Sequence, residues 1–170
     1  MSDAARLEGS ALVAAVALCA ALAAPGAQAQ KAHAHGAARL DAVVEGARLT
    51  LELEASLHDL VGFEHAPRDD RERAAIASMK AFLDSDRAFV PSPAAGCRRT
   101  GTTLETERRD GHADLRGAYA FACASPAALT ALEVGLFGRF RRLARIDARV
   151  VSGKGQSAAR LTPRKPTLAF

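Results

Sequence analysis

The chain has 170 residues and is 49% hydrophobic, enough for one core of ordinary size without a second globular unit. Its net charge of +4, with 25% charged residues, is too even for an acidic or basic disordered tail. The arginines at 139, 141, 142 and 145 are interleaved with Phe140 and Leu143, with no aromatic platform suited to stacked bases and no recognisable nucleic-acid module.

The first feature is the run Ala11 to Ala24, too short to cross a bilayer comfortably but the right length for a signal-peptide h-region. Ala27 and Ala29 then put small residues at the first and third places before a cut at Gln30. Residues 1–29 are therefore expected to be a signal peptide, with no stable membrane anchor after cleavage. Residues 30–170 are expected to form a single domain opened by a flexible arm at 30–38. Cys19 leaves with the leader, so Cys97 and Cys123 remain, and an even pair in an exported chain reads as a disulfide.

Residues 39 to 55 alternate as a β-hairpin, with Leu40, Ala42 and Val44 on one face and Leu49, Leu51 and Leu53 following the same rule after Gly46. Leu57 to Phe63 reads as an apolar connector. Asp69 caps the main amphipathic helix, in which Ala75, Ile76, Met79, Phe82 and Leu83 recur at helical spacing up to Asp84. Pro91 and Pro93 break the chain. Residues 97 to 107 are β-prone, and Leu115, Gly117, Tyr119, Phe121 and Cys123 share one face of a further strand. A Cys97–Cys123 bond would then clamp either antiparallel neighbours or strands facing across the core. Ser125-Pro126 signals a short helix from Pro126 to Leu132.

The arginines 139, 141, 142 and 145 read as a solvated cationic face, with attraction to an anionic envelope surface as the lesser option. Ile146, Ala148 and Val150 mark another strand, turned by Gly153-Lys154-Gly155 into a second hairpin, and Pro163 and Pro166 leave the end extended. The sum is an α+β fold, an antiparallel β-rich single domain with one main helix.

Chemistry rests on five histidines. In an extended segment His33 and His35 point the same way and can offer two imidazoles to one ion. Zinc wants at least three protein ligands, so the pair needs His58, His65 or His112, or a carboxylate such as Glu64, Asp110 or Asp114, brought close by folding. His58, beside Asp59 in the apolar connector, reads as structural. No GxSxG elbow, HExxH helix or phosphate-binding loop is present, and the expectation is that the chain is not an enzyme.

The segments HAHGAARLDAVVEG, LVGFEHAP, AAGCRRT, HADLRGAYAFACASPAALTALEVGLF and KGQSAARLTPRKPTL, in this order, resemble the DUF2796 family, the ZrgA-type periplasmic zinc-binding proteins. The resemblance implies a periplasmic protein that assists zinc uptake beside an ABC-type zinc importer and its solute-binding protein. It implies His33, His35, His65 and His112 as ligands and Cys97 with Cys123 as the matching cysteine pair. Many family members carry a His- and Asp-rich insertion where this chain has only ETERRDG, so abundant low-affinity loading is not expected here. The other reading is an envelope interaction module of the same fold that needs no metal.

Overall fold

The computed structural model describes residues 35–109 and 111–170; the leader, His33 and Asp110 lie outside them. The alternating stretch forms β1 (Ala37–Glu45) and β2 (Arg48–Ser56), paired antiparallel about Gly46, whose φ of 55° suits glycine. Leu40, Leu49, Leu51 and Leu53 are all buried. The expected connector is instead helical at its start: α1 (Leu57–Val61) is capped by Ser56, whose side chain accepts from the His58 backbone, and is stopped by Gly62 at φ 95°. α2 (Asp70–Leu83) begins as read, with the Asp69 side chain accepting from the Glu72 backbone, and Asp84 is its C-terminal cap. It buries Met79 and Leu83.

β3 (Phe89–Pro91) is followed by one 3-10 turn, Pro93–Ala95. β4 (Cys97–Arg109) and β5 (His112–Cys123) then form a long antiparallel pair with a bulge between Arg99 and Gly101. The expected face of β5 is buried as a row. Glycine at 117 leaves room for the Tyr119 ring, since a Cβ there would sit only 3.0 Å from the ring and hydroxyl. Cys97 and Cys123 are register partners joined by a disulfide, so the bond clamps neighbouring strands and not the two sides of the core.

The helix expected from Pro126 to Leu132 is cut to one 3-10 turn, Pro126–Ala128. Ser125 makes no side-chain cap, and the chain passes into β6 (Ala131–Val134), where Leu132 and Val134 are buried. Burying alternate apolar residues against the core outweighs a weak helix start. α3 (Leu136–Arg139) leads to β7 (Arg145–Ser152) and β8 (Gly155–Leu161), the second hairpin, and the end is the strand β9 (Thr167–Ala169).

Six strands form the main sheet in the order β4-β5-β2-β1-β7-β8, and β3-β6-β9 form a small one. All pairs are antiparallel except β1 with β7, a parallel contact that joins the two hairpins into one sheet. The inner face carries the core. The Phe89 ring of the small sheet meets Tyr119 of the large one edge-on, with centroids 4.8 Å apart. Among the described residues no helix is long and apolar enough to cross a membrane.

The outer face is polar and ordered by charge. Reading across the six strands through the register, Glu105 stands opposite Arg116, Arg116 opposite Glu54, Glu54 opposite Arg39, Arg39 opposite Asp147, and Asp147 opposite Arg160. Each cross-strand neighbour has the opposite sign, the arrangement that favours one register over a slip. Asp147 shows the effect on titration. The hydrogen bond from Arg160 Nε, 2.9 Å away, holds its carboxyl below the ordinary 3.8 against a smaller opposing effect of burial, and Arg145 adds to the lowering. A carboxylate with a depressed folded value contributes stability above its ordinary value and loses it as pH falls through the lowered one. Acid denaturation of Asp147→Asn should therefore show a shallower loss of stability below roughly pH 4 than the parent, read by thermal melts over the acid limb.

Candidate metal centre

α1 is where the sequence gathers polar groups under an apolar cover. Ser56 caps it, His58 and Asp59 lie in its first turn, and Leu57 and Leu60 pin its other side into the core. Asp59 is only 2% exposed, and a carboxylate so deep must be satisfied. Its Oδ2 accepts from the Gly36 backbone N–H at 2.8 Å, and its Oδ1 lies 3.4 Å from His58 Nδ1. The bond to Gly36 ties the start of β1 to α1. Gly36 takes φ 76° there and also receives backbone hydrogen bonds from Ala144 and Arg145 on its carbonyl.

This tether delivers His35. Its ring meets that of His58 edge-on, with centroids 4.6 Å apart, and His35, His58 and Asp59 each offer a ligand atom within 4.8 Å of the others. His35 is exposed, His58 half-buried and Asp59 buried. Two borderline imidazoles and a hard carboxylate oxygen, open on one side, match the donor set of a zinc site that retains exchangeable positions.

A second pair stands beside the first. Glu64 Oε2 lies 3.0 Å from His112 Nδ1, and Glu64 Oε1 accepts from the Ser56 hydroxyl at 2.6 Å. Burial would raise the Glu64 carboxyl, but the hydrogen bonds from Ser56 and His112, together with the nearby imidazoles of His112 and His35, hold it below the ordinary carboxylate value. Glu64 and His112 thus form a carboxylate–histidine pair, the arrangement that orients metal ligands. Because Ser56 Oγ also accepts from the His58 backbone, Ser56 connects this pair to the first group.

His35 and His112 therefore come to one side of the domain. His65 does not join a three-member group among the described residues. Its Nδ1 is 2.9 Å from the Ala66 carbonyl and 3.7 Å from Glu72, and its ring stacks on Phe63 with centroids 4.9 Å apart. It belongs to the start of α2. The sequence offers His58 as one possible third ligand but favours a structural role for it, whereas the fold sets it beside His35 and Asp59. The available signal was Ser56, a capping residue just before it, which makes Leu57 to Val61 a helix and turns His58 and Asp59 away from the path of a plain connector.

Comparison with known proteins agrees with the chemistry of this donor set. No curated protein matches the chain. A family model described as the ZrgA family zinc uptake protein matches residues 32–170, which takes in β1 through β9 and every group of the candidate centre. With a match of that extent, the chain belongs to the ZrgA family of zinc uptake proteins.

Proposed function

We propose that this protein is a periplasmic zinc carrier, exported by the leader at residues 1–29, with residues 30–170 forming the working domain. His35, His58 and Asp59 capture the ion, and His112, oriented by Glu64, together with His33, two positions before His35, supply further donors. The observation that carries this reading is the convergence of His35, His58 and Asp59 within 4.8 Å in a member of a zinc uptake family. The disulfide supports export, since such bonds persist in oxidising compartments. Zinc here is cargo, passed on to an importer of the ABC type through its solute-binding protein. Release follows from the donor set, because imidazoles bind the ion only when neutral and protons compete with it. No reaction is assigned to the site: a carrier needs capture and release alone.

Zinc titration of the purified protein against a competing chelator tests this. His58→Ala is expected to weaken binding at least tenfold, and Glu64→Gln to weaken it by about tenfold or more through misorientation of His112. His65→Ala, which alters only the start of α2, is expected to leave affinity within about twofold of the parent. Equal affinity in the parent and His58→Ala would remove the site from the mechanism.

A further inference from the structure

Away from the histidines, the end of α2, the turn before β3 and α3 enclose a concavity of about 510 Å³. Ala81, Phe82, Gly135 and Gly138 line it together with Ser78 and the side chains of Arg87 and Arg139. The two guanidiniums are held by a chain of rings. Arg87 lies over Phe82 at 5.7 Å, Phe82 meets Phe140 edge-on at 5.5 Å, and Arg139 lies over Phe140 at 5.7 Å. A guanidinium held over a ring face keeps N–H groups available to bind, so part of its side-chain freedom is already spent before binding.

About half of the other described guanidiniums meet a carboxylate: Arg39, Arg68, Arg73, Arg99, Arg109, Arg116, Arg145 and Arg160 are in ion pairs. Among the described residues, Arg87 and Arg139 have no such partner; Arg139 donates only to the Ser78 hydroxyl. Two cations in a concavity lined largely by apolar residues and glycine are complementary to carboxylates carried next to apolar groups. The exposed Arg141 and Arg142 extend the positive surface from α3, and the Arg142 guanidinium packs against Gly62, the cap of the helix that carries His58 and Asp59.

We infer that this concavity is a docking site for an acidic peptide segment on the surface of a partner protein, with Arg87 and Arg139 each taking a carboxylate. Binding is independent of the metal, and the run of arginines leads a docked partner toward the histidine face. The wide mouth suits a chain segment laid across it, and the pairing of carboxylate with apolar side chain distinguishes the site from a merely basic surface.

The test is fluorescence anisotropy with the purified protein and a short rhodamine-labelled peptide that alternates glutamate with alanine and leucine, at low salt. The parent should bind it at least about tenfold tighter than the glutamine counterpart, and Arg87→Gln with Arg139→Gln should abolish that difference. The double lysine variant should recover only part of it, because a lysine cannot offer the bidentate fork. Arg164→Gln, an exposed arginine in the turn before β9, should change nothing, and unchanged melting temperatures establish that the variants fold. Equal binding of the two peptides, or full binding by the double glutamine variant, overturns the proposal. So does sedimentation with phosphatidylglycerol vesicles that depends on Arg87 and Arg139 while the peptide fails to bind, which would assign the arginines to a membrane surface.

Discussion

Replacing Cys97 and Cys123 together by serine should lower the stability of the domain by about 3.5 kcal/mol, the chain-entropy value for a closed loop of this length. The two cysteines are 26 residues apart and bonded across register partners of β4 and β5, so the link closes one long hairpin in the unfolded chain. Guanidinium titration of the double variant and the parent gives the number directly. Because the bond acts mainly on the unfolded ensemble, the slope of the transition should steepen as the reduced chain unfolds more completely. Zinc affinity of the folded variant should be unchanged. His112 opens β5 and Cys123 closes it, and a strand of that length separates them by roughly 35 Å.

A change of similar size is expected in the core. Leu51→Ala should cost about 3 kcal/mol, within the usual range for a buried leucine, and lower Tm by roughly 10 °C. Leu51 is 1% exposed on the inner row of β2, with Ala42 of β1 on one side and Tyr119 of β5 on the other. Its neighbours cannot collapse into the space left behind, because Ala42 is already small and the Tyr119 ring leans over Gly117. Val151→Ala provides the contrast. Val151 is 42% exposed on β7, and its truncation should move stability by no more than about 0.5 kcal/mol. Thermal unfolding of the two variants side by side separates burial from the mere loss of methyl groups.

Much of this fold was legible in the sequence because its signals are local. Leu49, Leu51 and Leu53 alternate with Thr50, Glu52 and Glu54 whatever the rest of the chain does, and Asp69 caps α2 through a contact three residues away. The parallel pairing of β1 with β7 was not legible. It joins Ala38 to Ile146, and nothing in either strand's alternation names its neighbour. The segment after Pro126 was misread for a related reason: proline at a helix start is a local preference, while the strand that replaced the helix is imposed by Phe89 to Pro91 on one side and Thr167 to Ala169 on the other.

The candidate centre divides along the same line. His35 was readable from its place beside His33, and His112 from its flanking acids. The association of His35 with His58 and Asp59 depends on the hydrogen bond from Gly36 to Asp59, which spans 23 residues and follows from the meeting of β1 with α1. Asp59 carries a lesson for sequence reading: an acid between apolar neighbours needs a partner, and its partner marks the segment that folds against it. Here that segment carries His35.

The most direct measurement is the position of the ion itself, from anomalous scattering at the zinc edge on crystals of the purified protein grown with one equivalent of zinc. The account predicts a peak about 2.0–2.1 Å from a ring nitrogen of both His35 and His58, on the open side of Asp59. A single peak at His65 and Glu72, with the rings of His35 and His58 uncoordinated, would contradict it.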